Sequence, residues 1–237
     1  MNRKYMALAL AAVLALPAAA ARADSQPSPR IIVTGEGEAS VAPDLALLSL
    51  SVMREAKTAR EALDANNDAM AAVIAAMKSA GVADRDLQTA GIQIQPRYNY
   101  TNKPDGSQDA ELVAYQVINT LSVRVRDIAK TGEILDKAVS LGVNQGGGIT
   151  FTNEKPEAVI TEARKLAVTD AIAKAKVLAE AAGVKVGKVL EITDQSYAPP
   201  PMPMQAKSFD RAAGAAPVEA GENAYRVQVN VTFELKN

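Results

Sequence analysis

The sequence predicts an α+β protein with mainly antiparallel sheets and two long helices, built from two similar strand-helix-strand-strand units. Three observations lead there. Two alternating runs open alike 110 residues apart, on Ala114-Tyr115-Gln116-Val117 and on Ala224-Tyr225-Arg226-Val227. Two helical segments close alike 102 residues apart, on Ala80-Gly81-Val82 and on Ala182-Gly183-Val184. Strand-like runs outnumber helical ones, and many neighbours are close enough in sequence to form hairpins.

The elements follow in order. Arg3 and Lys4 precede an apolar run over 6–16, and Ala21-Arg22-Ala23 is a small-residue cleavage signal. Residues 1–23 therefore read as a signal peptide cut between Ala23 and Asp24, the run being too short to span a bilayer. Residues 31–41 read as a strand whose Gly35 and Gly37 mark a bend or a close approach of backbone or ligand. Pro43-Asp44 is a turn, and 45–52 is a second strand predicted to form a hairpin with the first. Thr58 and Glu61 form a capping box for a helix that buries Leu63, Met70, Val73, Ile74 and Met77 and ends at Gly81. Asp84 and Asp86 mark a turn. A strand carrying Ile92, Ile94 and Tyr98 leads to a polar loop over 99–109. In the next strand Tyr115, Val117, Leu121, Val123 and Val125 share the inward phase.

Residues 127–145 read as a short helical connector burying Ile134, Leu135, Ala138 and Val139. Gly146-Gly147-Gly148 is a flexible lead-in to a short edge strand at 149–151. Asn153 is the predicted cap of the second long helix, whose alanines over 163–182 suit either pairing with a helix or packing on a sheet. Asp170 and Lys174 stand at i, i+4 on it. A strand at 186–193 and a Pro/Ala-rich loop over 197–223 precede the last strand. There Tyr225, Val227, Val229, Val231, Phe233 and Leu235 face inward. The halves are 24–126 and 146–237, together one domain over 30–236.

Composition narrows the function. Removing Arg3, Lys4 and Arg22 from 26 basic residues leaves 23 against 27 acidic ones, a net charge of about −4 that argues against a nucleic-acid surface. There is no histidine and no cysteine, which removes the commonest metal ligands, the commonest general base and any disulfide. No later apolar run reaches the roughly 20 residues of a spanning helix.

No catalytic, cofactor or metal residue is assigned. Gly35-Glu36-Gly37 lacks the third glycine and the helix of a dinucleotide fingerprint. No nucleophile motif of the S-x-x-K or G-x-S-x-G kind occurs. Glu36, Glu38 and Asp44 do not have calcium-loop spacing. Tyr98, Tyr100, Tyr115 and Tyr225 could together line a cleft. Pro199 to Pro203 reads as a surface loop or a polyproline ligand.

The opening Ile-Ile-Val-Thr-Gly-Glu-Gly-Glu-Ala-Ser-Val-Ala-Pro-Asp at 31–44 resembles the signature of the SIMPL-domain family. Two further stretches fit in family order. One is Gly142-Val143-Asn144 followed by Gly148-Ile149-Thr150-Phe151. The other is Glu162-Ala163-Arg164-Lys165-Leu166-Ala167 with Asp170-Ala171 and Lys174-Ala175, closing on Gly183. The resemblance marks Gly35, Gly37, Pro43, Asp44, Gly142, Phe151, Ala167, Asp170, Ala171, Lys174 and Gly183 as structural-motif positions. It implies a periplasmic protein, peripherally associated with the envelope or outer membrane. It also implies ring- or channel-like homo-oligomers in some members and a link to envelope or oxidative stress. The expectation is a non-enzymatic, self-assembling protein that needs no cofactor and no nucleic acid. The alternative is a small-molecule or peptide-binding module.

Overall fold

The computed structural model describes residues 28–104, 107–194, 202–204 and 218–237. The signal peptide, with Ala23 and Asp24, and most of the loop at 197–223 lie outside the described residues. The described strands are β1 (Arg30–Val41), β2 (Leu45–Ala56), β3 (Leu87–Asn102), β4 (Gln108–Val125), β5 (Gln145–Thr152), β6 (Lys185–Asp194), β7 (Met202–Met204) and β8 (Glu222–Lys236). The helices are α1 (Ala59–Ser79), α2 (Thr131–Ser140) and α3 (Glu157–Ala181), with 3-10 turns at Asp84–Asp86 and Ile128–Lys130. The α+β, antiparallel class holds, with two long helices and the short α2.

Two sheets form. One has the order β3-β4-β2-β5; the other is β1-β8-β6, with β7 pairing with the start of β8 on the side opposite β1. All pairings are antiparallel. Each sheet has its own core. In the first, Leu48, Leu50 and Val52 of β2 and Leu121 and Val123 of β4 pack under Met70, Val73 and Met77 of α1 and Ile134 and Ala138 of α2. In the second, Val33 and the β8 residues Val227, Val229, Val231 and Phe233 pack under Ala163, Ala167, Ala171 and Ala175 of α3. The alanine face of α3 is thus a sheet-packing face.

The predicted hairpin of the first two strands does not form. β1 pairs with β8 from Arg30↔Glu234 to Val41↔Asn223, and β2 lies between β4 and β5. The strands differ in kind. β2 is buried along most of its length, as a central strand under helices must be, whereas β1 is an edge strand whose helix-facing side carries two glycines. The three-residue crossing between them is held by the end of β5 and the residue after it: the Asp44 amide donates to the Thr152 carbonyl (3.1 Å) and Asn153 Nδ2 to the Ala42 carbonyl (2.8 Å).

A common layout recurs, β3-β4-β2 under α1 and β6-β8-β1 under α3. The strand at 149–151, expected in the second unit, instead lies at the edge of the first sheet. Residues 24–126 and 146–237 therefore each give one strand to the other's sheet. Ile149 and Phe151 pack against the first core, whereas the glycines of β1 provide the close seat that α3 needs.

Three smaller expectations are corrected. Of the polar stretch at 99–109, residues 99–102 and 108–109 are strand, because Asn102↔Gln108 closes the β3-β4 ladder, and Lys103 pairs with Asp109 (2.9 Å). Val139 is 56% exposed, on the outer side of α2. Asn153 does not cap α3, which begins after Pro156 with no side-chain cap among the described residues; its amide is engaged elsewhere. Thr58 and Glu61 do form the capping box.

Candidate functional site

The motif residues gather chiefly where β1 meets α3. Gly35 and Gly37 face the helix, with no irregularity in the β1-β8 register, so these glycines serve close approach rather than a bend. A Cβ at Gly35 would collide with the carbonyl oxygen of Ala167 and lie 2.7 Å from the Ala171 Cβ. One at Gly37 would collide with the carbonyl oxygen of Ala163 and lie 3.0 Å from the Leu166 Cβ. Five alanines of α3 at four-residue spacing, Ala163 to Ala179, are at most 2% exposed. Small residues on both partners bring the helix backbone down onto the strand.

That proximity lets two α3 side chains reach over the edge of β1. Asp170 Oδ2 accepts from the Glu36 amide (2.8 Å), and Lys174 Nζ donates to the Thr34 carbonyl (3.2 Å). The two side chains also pair with each other at 2.7 Å. The Lys174 ammonium, then the Glu36 amide, hold the Asp170 carboxyl below its usual range, and Asp170 raises Lys174 in return. A neighbouring strand would use the same amide and carbonyl. Asp170 and Lys174 therefore close this part of the β1 edge.

Other motif residues sit at the crossing between sheets. Pro43 is in the crossing itself; Asp44 Oδ1 accepts from the Glu154 amide (2.7 Å). Asn153 is the centre: besides donating to the Ala42 carbonyl, it accepts on Oδ1 from Asn223 Nδ2 (2.9 Å) and the Tyr225 hydroxyl (3.0 Å). Burial pushes the Tyr225 phenol up. Gly142 (φ +118°) and Gly183 (φ +70°) end α2 and α3 in the left-handed region. Phe151 packs against the first core. Glu36, Glu38 and Asp44 do not converge: Glu36 takes Gln228, Glu38 takes Arg226, and Asp44 takes the Glu154 amide. Among the described residues no group of three carboxylates could hold a metal, and no helix is long and apolar enough to cross a membrane.

Two polar clusters escaped the sequence reading. Asp86 is 4% exposed, and Arg126 grips it at 3.0 and 2.9 Å while also binding Glu154. Arg126 holds both carboxyls below their usual range. Asn66, fully buried in α1, donates to the carbonyls of Val52 (2.7 Å) and Val117 (3.1 Å). A signal existed for Asn66: it lies four residues from Ala62 and from Met70, on the buried stripe of α1. None existed for Asp86 and Arg126, which are 40 residues apart.

The four tyrosines do not form a common cleft, because Tyr225 is buried in the second sheet with its hydroxyl on Asn153. Tyr98 and Tyr100 stand instead on an arm. β2 pairs with β4 only as far as Ala56↔Tyr115; beyond that, β3 and β4 run on together to Asn102↔Gln108. Along β3, Ile92, Ile94, Pro96, Tyr98 and Tyr100 alternate with Gln93, Gln95, Arg97, Asn99 and Thr101. Ile92, Ile94, Tyr98 and Tyr100 are 52, 47, 45 and 62% exposed. Leu112, opposite Tyr98, is 45% exposed, and the two tyrosine rings lie 6.4 Å apart.

Two helix-covered antiparallel sheets, one edge closed by helix side chains and one ribbon left open, define a two-sheet α+β protein. The chain belongs to the SIMPL family, described as a protein of unknown function (DUF541), which matches residues 31–233. It is 50% identical over 238 residues to the 26 kDa periplasmic immunogenic protein of Brucella melitensis biotype 1, covering 98% of this chain and 95% of that one. The protein of the same name from Brucella abortus strain S19 gives the same figures. An uncharacterized protein YggE of Escherichia coli K12 is 31% identical over 242 residues, covering 98% of this chain and 94% of that one. None of these names states an enzymatic activity.

Proposed function

We propose that this chain is a non-enzymatic periplasmic protein that acts by assembling with copies of itself, through the β3-β4 arm. The arm carries the reading. A two-stranded ribbon is marginal alone in water, and this one shows solvent an apolar stripe along β3 and its outer edge, a combination that marks a contact surface. A second copy is the simplest cover. The periplasmic setting is supported by the signal-like residues 1–23 and by the name of the 50%-identical relatives. A ring- or channel-like form, association with the outer membrane and a part in envelope or oxidative stress are carried by the family resemblance.

Light scattering on the chain from Asp24 onward tests the reading. The expected mass is several-fold that of one chain and stable over a dilution series. Tyr98→Ser with Tyr100→Ser, at exposed positions, should reduce the mass to a single chain while the circular dichroism stays unchanged. A monomeric parent chain, or a double variant that assembles like the parent, refutes it.

A further inference from the structure

A charged pocket lies at the start of β3, the end of that strand away from the arm's tip. Its volume is about 190 Å³. Its walls are the turn after α1, Arg85 and Asp86 before β3, and Arg124, Arg126, Asp127 and Lys130 at and beyond the end of β4. Clefts that take whole small molecules measure about 300–1,000 Å³, so this one suits a single small group. Four cations line it against the two carboxylates Asp86 and Asp127, on a chain whose net charge is −1. Glu154, bound by Arg126, adds a third carboxylate, and Lys155 acts on it as a neighbouring cation.

Two of these cations are fully engaged and two are not. Arg126 takes both oxygens of Asp86 and also Glu154, and Lys130 pairs with Asp127 (3.3 Å). Arg85 Nε and Arg124 Nε flank the same Asp86 carboxylate at 4.0 and 3.9 Å, beyond hydrogen-bond distance. Arg124 also lies 3.7 Å from Glu154, again too far for a hydrogen bond. Its Nε is buried and has no hydrogen-bond partner among the described residues, which is uncommon for a buried N–H. The last carbonyls of α1 are already served, because the amides of Ala80, Gly81 and Val82 bond those of Ala76, Lys78 and Met77. We propose that this pocket binds a phosphate group, held between the guanidiniums of Arg85 and Arg124. A guanidinium fork matches a phosphate, two forks converge here from two elements, and a doubly charged oxyanion balances the surplus of cations. Asp86 draws the two arginines together without occupying their donors, since Arg126 holds its oxygens. The proposal stands apart from the assembly reading, which rests on the far ends of β3 and β4.

Isothermal titration with inorganic phosphate, on the chain from Asp24 onward and at constant ionic strength, tests it. The parent should bind one phosphate per chain. Arg124→Gln and Arg85→Gln should each bind at least about tenfold more weakly, the effect of losing a hydrogen bond to a charged group. Arg124→Lys, which keeps the charge and loses the fork, should recover only part of the affinity. Arg60→Gln removes the same charge from an exposed pair at the other end of α1 and should bind like the parent. Circular dichroism checks that each variant is folded. Arg85, with a side chain 77% exposed, keeps the test valid if Arg124→Gln does not fold. Cosedimentation with phosphatidylcholine vesicles, with and without phosphatidic acid, identifies the source of the phosphate group. Pelleting only with phosphatidic acid, lost in both glutamine variants, assigns a lipid headgroup. Titration by inorganic phosphate without pelleting assigns the free ion. Binding in neither experiment, or binding that both glutamine variants retain at the parent's strength, overturns the proposal.

Discussion

At Gly35 the missing side chain sets the distance between α3 and β1. Its strand position is ordinary, but the space above it is filled by the Ala167 carbonyl. Gly35→Ala must push the helix away and loosen the hold of Asp170 and Lys174 on the strand edge. The expected loss is about 1–3 kcal/mol, the range for overpacked sites, read from urea unfolding. Gly91→Ala is the control: nothing lies within 4 Å of a Cβ there, and the change should stay within about 0.5 kcal/mol. The glycines were legible as places of close approach, but their partners on α3, far along the chain, were not. Asn153 teaches the converse. Its residue type suits a helix cap, and its backbone position gave it three partners at the crossing instead.

At the scale of elements, α1 shows local chemistry governing local structure. Thr58 and Glu61 satisfy each other's backbone amides, as a capping box should, and Gly81 (φ +92°) ends the helix region. Thr58→Ala should cost about 1 kcal/mol and lower the melting temperature by about 2–4 °C, as expected for a chain of this size. An unchanged melting curve would mean that packing on β2 and β4 alone fixes the helix start. For β8, alternation fixed the inward face from Tyr225 to Phe233. It could not say that β1 and β6 would be the neighbours, because period-2 patterning specifies a face and not a partner.

At the scale of the molecule, the sheets are tied by the crossing at 42–44 and by the ion pairs after β5. Arg126 binds Asp86 at the start of β3 and Glu154 beyond β5. It holds both carboxyls below their ordinary values of 3.8 and 4.5. A carboxyl depressed in the folded state stabilises fully above its unfolded value, and that contribution is lost as pH falls through the folded one. The melting temperature should therefore stay level from neutral pH to about 5 and fall below about 4.5. Arg126→Gln should lower the plateau and flatten the acid slope. An equally steep acid decline in that variant would assign acid sensitivity to other carboxylates.

By itself the sequence determined the class, the start of α1 and the glycines that end α1 and α3, the inward faces of β4 and β8, and the family signature. All of these are set by residues within a few positions of one another or by a simple period. Only the tertiary structure decided the exchange of β1 and β5 between sheets, the closure of the β1 edge by Asp170 and Lys174, and the burial of Asp86 against Arg126. It also decided the projection of Tyr98 and Tyr100 on an arm. Each depends on which distant segments meet, and that is settled by competition among backbones for close packing and for hydrogen-bond partners, not by any local pattern.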